Sequence, residues 1–228
     1  MCGTYGDPAA AKHTLDIYRW FRQLNPTITL GMNTNGAIQN TFWWHELGRL
    51  FNRSEDYVVF SIDGLEDTNA TYRRGVDWPK LMANADAYIS AGGSAHWDML
   101  VYRHNQHQVD ECEQLARYMG FSWFRAKVSK RGFTEALQSP LNWQLPVTGV
   151  GAIQCHVLAE KSAYIDAQGR LSPCCWIGGS QFNVIQDIQQ VQVTWKTSTP
   201  NTICQKVCGT HDLKTNFGNQ WRREIQLR

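Results

Sequence analysis

Five of the seven cysteines crowd the last third of the chain: Cys155, Cys174, Cys175, Cys204 and Cys208. Cys155 and Cys174 bracket a segment in which Tyr164 and Ile165 suit one strand and Arg170 and Leu171 another. Asp166 to Gly169 form the turn between them, with Gly169 free to take positive φ. A hairpin brings its ends together, so these two thiols can face one site. Cys204 and Cys208, with three residues between them, offer a second pair close enough for both thiolates to reach one metal centre, and Cys175 is a spare. Four converging thiolates suit either an iron–sulfur cluster or tetrahedral zinc, and spacing does not separate the two. The odd cysteine count, the adjacent pair Cys174-Cys175 and the lack of a signal-peptide layout argue for ligands or free thiols over a disulfide framework. Cys112 shares helical spacing with Val109, Leu115 and Ala116 and reads as a small core residue; Cys2 reads as structural. The seven histidines share no ligand spacing, and His156 stands out only as the neighbour of Cys155.

The residues ahead of these cysteines alternate between strand and helix signals. Asp7 and Pro8 predict an N-cap and first helical position, with Ala11, Leu15, Tyr18 and Phe21 along one face. A short buried strand over 28–32 follows, then a helix presenting Trp43, Leu47, Leu50 and Phe51, and a strand over 57–62. Asp77 caps a helix with Leu81, Ala85, Tyr88 and Ile89 inward, stopped by Gly92-Gly93, before a strand over 95–102. Asn105 and Gln108 have capping-box spacing before a helix that ends at Gly120, and a strand over 123–128 closes the series. Repeats of about 30 residues in this order demand an α/β fold with a parallel sheet and right-handed crossovers.

Chemistry in such sheets gathers at the C-terminal ends of the strands. Those ends read Tyr5-Gly-Asp-Pro8, Asn33-Thr-Asn-Gly36, Ser61-Ile-Asp-Gly64 and His104-Asn105. In order, the first three resemble the Gly-Gly-Glu-Pro loop, the Thr-Asn-Gly strand end and the Ser-x-Asp-Gly motif with its following Arg of the radical S-adenosylmethionine (radical SAM) barrel. The later run Cys-x13-Gly-x4-Cys, followed by Cys-x3-Cys, is similar to the SPASM or twitch auxiliary-cluster domain of the same enzymes. The resemblance spans residues 2 to about 210.

It implies a partial (βα) radical SAM barrel with parallel strands over 1–130, a linker over 131–151, and a small Cys-rich α+β SPASM/twitch domain over 152–228. It also implies that Gly6, Asp7, Asn33, Asn35, Ser61, Asp63 and Arg73 form part of an S-adenosylmethionine site. Gly6 and Asp7 would hold the methionine amino group, Ser61 and Asp63 would line the sugar and methionine region, and Arg73 would fork onto the methionine carboxylate. Cys155, Cys174, Cys204 and Cys208 would hold one auxiliary [4Fe-4S] cluster. The complete enzyme would cleave S-adenosylmethionine to a radical that modifies a peptide or small molecule, with a reductant such as flavodoxin or ferredoxin. No individual catalytic residue emerges.

One departure qualifies this. The Cys-x3-Cys-x2-Cys loop that binds the catalytic cluster in that family is absent, since only Cys2 and Cys112 precede Cys155. The first strand, the cluster loop and the first helix are expected to be missing, leaving an exposed sheet edge. The expectation is a fragment completed by an N-terminal companion segment; the alternative is a non-catalytic scaffold protein with a structural zinc or Fe-S site. A net charge of +2 gives no case for nucleic acid or membrane surfaces, and no apolar run reaches the length of about 18 residues expected of a membrane span. A cytoplasmic protein is expected. The ten tryptophans suit core and interface packing, and the tail from Trp221 to Leu227 reads as a short helix.

Overall fold

The computed structural model describes residues 1–2, 6–129, 133–143, 162–172, 174–177 and 221–228. The chain divides into two compact units, one of Met1–Gln144 with Trp221–Arg228 and the other of Leu145–Gln220.

The first unit runs α1 (Thr14–Leu24), β1 (Gly31–Thr34), α2 (Thr41–Leu50), β2 (Tyr57–Ser61), α3 (Glu66–Tyr72), α4 (Trp78–Ser90), β3 (Ala95–Val101), α5 (Val109–Met119) and β4 (Trp123–Val128). Strands β1 to β4 pair parallel in sequence order, as the alternation of strand and helix predicts. Local chemistry sets the helix starts. The Asn40 side chain accepts from Trp43 N and Asp77 from Lys80 N, satisfying amides that an N-terminal turn leaves without partners. Gly120 closes α5 in the left-handed region at φ 84°.

The register sorts the sheet into two unlike faces. Met32, Val58, Phe60, Ala95, Trp97, Met99, Phe124 and Ala126 lie on one face and are buried with Trp44, Leu47, Leu81, Ala85, Tyr88, Cys112 and Ala116. The other face carries Asn33 on β1, Ser61 on β2, His96 and Asp98 on β3, and Arg125 and Lys127 on β4. Parallel sheets covered on both sides read as continuous apolar runs. Strand β3, with burial alternating at every residue, fully buries only its helix-facing side chains.

Four features differ from the sequence expectations. Asp7 does not lead straight into a long helix: it caps a single 3-10 turn, Pro8–Ala10, and α1 begins at Thr14, whose hydroxyl donates to Pro8 O at 2.5 Å and closes that turn off. Helix α3 was not foreseen, because its buried residues are Thr68 and Asn69 and it has no apolar period to read. The capping box is not formed. Asn105 instead bonds to Tyr102 N, Asp63 O and Leu100 O, and Gln108 bonds to Leu65 N, Thr68 and Asp67, while a 3-10 turn Gln106–Gln108 leads into α5. Finally, the tail is a strand, not a helix. Here β7 (Arg223–Gln226) pairs antiparallel with β4, with burial alternating along it and Ile225 opposite Phe124. Trp221, just before it, lies under the cations of Arg125 and Lys127 at 4.5 and 4.3 Å from its ring centre.

In the second unit the described residues contain the expected hairpin. β5 (Tyr164–Ile165) pairs antiparallel with β6 (Leu171–Ser172), and Gly169 has φ 77°. The Asp166 carboxylate organises the turn, accepting from Gln168 N, Arg170 N and Arg170 Nε at 2.9, 2.9 and 2.6 Å. Among the described residues no helix is long and apolar enough to cross a membrane.

Candidate functional site

The site residues named from the sequence gather at the C-terminal ends of β1 and β2. The Asp7 carboxylate accepts from Ala9 N at 2.9 Å, from the Thr34 hydroxyl at 3.0 Å and from Asn35 N at 2.7 Å. It therefore ties the Gly6-Asp7 loop to the end of β1. An ionised carboxylate offers about four acceptor positions, so three bonds leave room for one further donor. The Asn35 side chain accepts from Ala37 N at 3.0 Å, an Asx turn that lets Gly36 take φ 75°. A side chain at Gly36 would run into Leu81 and Phe60, so the turn requires glycine on both counts. Nothing crowds Gly6. Asn33 is exposed on the polar face of the sheet, and Ser61 lies across from Asp98 on that face.

Asp63 is fully buried, and both its carboxylate oxygens and its backbone amide and carbonyl are bonded. Oδ2 accepts from Arg73 Nε at 2.6 Å and Oδ1 from Leu100 N at 2.6 Å, while its own amide donates to Asn69 Oδ1 and its carbonyl accepts from Asn105 Nδ2. Burial pushes the carboxyl pKa up, opposed by the Arg73 cation and the Leu100 amide. Arg73 also stacks on Tyr72, its guanidinium 5.0 Å from the ring centre. The partner the structure gives Arg73 is thus a carboxylate of this chain. Its bond to Asp63 uses Nε alone, and the guanidinium carries five N–H donors.

Several residues here escaped the sequence reading. His104 stacks on Tyr102 with ring centres 5.7 Å apart; both its nitrogens are buried without a hydrogen-bond partner, and burial lowers its pKa. Tyr102 faces Tyr72 at 5.3 Å, and its phenol is pushed up to about 12, mainly by burial. On the polar sheet face Asp98 and Arg125 form a two-point fork at 2.7 and 3.0 Å, and burial still raises the Asp98 pKa. The signal for His104 was its place at a strand end. For Asp98 and Arg125 it was their alternation with apolar neighbours along their strands.

Of the proposed cluster ligands, Cys174 is half-buried, two residues beyond β6; Cys155, Cys204 and Cys208 lie outside the described residues. Cys175 begins a 3-10 turn, Cys175–Ile177. Among the described residues no three His, Cys, Asp or Glu side chains are grouped to hold a metal ion.

Fold and site define an α/β protein with polar residues gathered at the C-terminal ends of its parallel strands. No protein-family model matches the chain, and no curated protein does either. Two crystal structures of SuiB from Streptococcus suis are similar to it, each at 13% identity and each covered over 61% of this chain. One is bound to S-adenosylmethionine, with a TM-score of 0.46 over 30% of that chain; the other has a TM-score of 0.47 over 31%. The chain thus spans less than a third of the length of these structures.

Proposed function

We propose that this chain is part of a radical SAM enzyme. In this reading, Gly6, Asp7, Asn33, Asn35, Ser61, Asp63 and Arg73 contribute to an S-adenosylmethionine site, and Cys155, Cys174, Cys204 and Cys208 hold one auxiliary [4Fe-4S] cluster. The observation that carries the reading is the Asp7 knot: the residues of two separately read motifs, Asp7 and Thr34-Asn35, are bonded to each other at the end of β1. Beside them the third motif presents a buried Asp63 braced by Arg73.

The donor chemistry fits an aminoacyl ligand. Asp7 has one acceptor position left for an ammonium group, and Arg73 has N–H donors beyond the one given to Asp63 for a carboxylate. His104, neutral at physiological pH, can offer one donor and one acceptor to a hydroxyl or amide. With a reduced cluster supplied by an N-terminal companion, S-adenosylmethionine would deliver the hydrogen-abstracting radical. The residues of this chain bind, orient and shield it. The substrate in this reading is a peptide or small molecule, and the electron donor a flavodoxin or ferredoxin.

Calorimetric titration with S-adenosylmethionine tests the reading. Saturable heat that is lost in Arg73→Ala supports it, and no binding up to millimolar ligand overturns it. Reductive cleavage of S-adenosylmethionine should not occur with residues 1–228 alone, because the chain has no catalytic cysteine triad and Cys112 is a buried core thiol. That same fact favours the second reading, a non-catalytic metal-binding scaffold. Anaerobic reconstitution separates the two kinds of metal centre. About four irons per chain, lost in a Cys155→Ala/Cys174→Ala variant, supports the cluster. One zinc and no iron supports a structural site.

A further inference from the structure

Residues 133–141 are tied to the loop that leaves β3 by four hydrogen bonds, all to two residues of that loop. Arg103 N donates to Gln138 O at 3.0 Å, Arg103 Nε to Ser139 O at 3.2 Å and Arg103 Nη1 to Gln138 Oε1 at 2.8 Å, while Leu141 N donates to Gln106 Oε1 at 2.6 Å. Nearer the start of the segment, Phe133 meets the Tyr102 ring edge-on with centres 6.4 Å apart, and Thr134 and Leu137 close a turn on each other. Pro140 is its one buried residue; residues 133–136, 138 and 141 are exposed. A segment held by solvent-facing hydrogen bonds over little buried apolar surface opens at low free-energy cost.

His104 lies between the two anchors. It follows Arg103 directly, precedes Gln106 by two positions and stacks on the Tyr102 ring that Phe133 touches. The residue is half-buried, yet both ring nitrogens are shut off from water, and among the described residues neither has a hydrogen-bond partner. A buried polar atom without a partner carries a desolvation cost, which is relieved when it is either solvated or bonded. The closed segment therefore balances two opposed effects. Four bonds and the Phe133 contact favour closure, and the desolvated imidazole opposes it. A ligand that bonds the imidazole removes the opposing effect and so favours the closed state over the open one. Burial keeps the ring uncharged, with one donor and one acceptor to offer, which a hydroxyl or an amide group can match from either side. Asp63 is close enough for its charge to act on His104, which places the imidazole beside the Asp63–Arg73 pair of the candidate site.

We propose that residues 133–141 are a gating strap, latched on Arg103, that closes over a ligand at the candidate site and seats a hydroxyl or amide group of that ligand on His104. The identity of the ligand as S-adenosylmethionine rests on the reading above; the strap and its latch do not.

The test treats the full chain at neutral pH with diethyl pyrocarbonate, which acylates neutral imidazole, and reads the rate at each histidine by peptide mass spectrometry. His13, His45 and His107 are exposed and serve as internal references. His104 should react about tenfold more slowly than these, and Arg103→Ala should raise its rate about tenfold while leaving theirs unchanged. Gln106→Ala with Gln138→Ala loosens the same latch from both sides and takes over if Arg103→Ala loses the native circular dichroism spectrum. Millimolar S-adenosylmethionine should slow both the His104 reaction and amide exchange over 133–141. A His104 that reacts as fast as His107 in the wild type, or whose rate neither latch variant changes, overturns the strap. S-adenosylmethionine that binds by calorimetry but alters neither the His104 rate nor the exchange overturns the role given to His104. Absence of calorimetric binding overturns the cofactor reading and the ligand contact with it, and the latch variants then decide the strap by themselves.

Discussion

Replacing Arg73 by Met isolates the energetics of the buried acid at the centre of the site. Asp63 has no exposed surface, and the Arg73 side chain is 25% exposed, so the pair is only partly open to water. Removing one partner of a buried ion pair costs about 3–5 kcal/mol, because the remaining charge is stranded. Partial exposure of Arg73 and the second bond from Leu100 N place the expected loss near the low end, about 3 kcal/mol at pH 8. The pH dependence follows from the sign of the shift. In the native protein the Asp63 pKa is already raised by burial, and the Arg73 cation is the largest opposing influence. Without Arg73 it rises further. A carboxyl with a raised folded pKa gives its full stabilisation below the unfolded value near 4, and that stabilisation is lost as pH climbs through the folded value. The Arg73→Met penalty should therefore be smaller at pH 5 than at pH 8, because lower pH favours the protonated Asp63. Asp63→Asn removes the charge but keeps an acceptor for Leu100 N, so the double variant should be more stable at pH 8 than Arg73→Met alone. Urea unfolding followed by tryptophan fluorescence reads all four proteins. Equal Arg73→Met losses at both pH values, or a double variant no more stable than Arg73→Met, would refute a charge-based role and leave Arg73 as packing.

Three further outcomes follow from the geometry. Gly36→Ala meets both a left-handed backbone and a collision with Leu81 and Phe60, and should lower stability by roughly 2 to 4 kcal/mol in the same denaturation assay. Cys112 is buried with its thiol pushed up to about 12, whereas Cys2 is exposed; brief iodoacetamide treatment of native protein at pH 8 should label Cys2 and spare Cys112 by peptide mass spectrometry. Trp221→Ala removes two cation–π contacts worth together about 1–2 kcal/mol, and amide exchange in β7 should accelerate about tenfold. Unchanged exchange would mean that Ile225 against Phe124 and the ion pairs of Arg223 with Asp110 and Glu113 hold the tail strand in place without it.

What the sequence made legible was whatever a few neighbouring residues decide. Asp77 caps α4 because its side chain needs only Lys80 N, and Gly169 turns its hairpin because Asp166 needs only the next four residues. The strand over 123–128 could be bounded to the residue, since alternation there is uninterrupted. Longer reach defeated the same reasoning. Asn105 and Gln108 have the spacing of a capping box, yet they are claimed by Asp63, Leu65 and Thr68, some 40 positions away, and a local rule does not weigh such competitors. Strand β7 shares its sheet with residues about a hundred positions earlier, so its short alternating run had no visible partner.

Arg73 shows how motif reading and structure fit together. The resemblance assigns it to a ligand carboxylate, and the structure gives it Asp63. Both hold only if the guanidinium serves two acids from different edges, and the single Nε bond to Asp63 leaves its terminal nitrogens for the second. Asp63 then fixes the orientation of the fork, with Leu100 N and the Tyr72 ring as its brace. Lysine at position 73 would keep a positive charge near Asp63 but lose the planar two-edged geometry. Arg73→Lys should therefore stay close to wild type in stability while losing most of its affinity for S-adenosylmethionine by calorimetric titration. A variant that binds as tightly as wild type would show that Arg73 serves Asp63 alone.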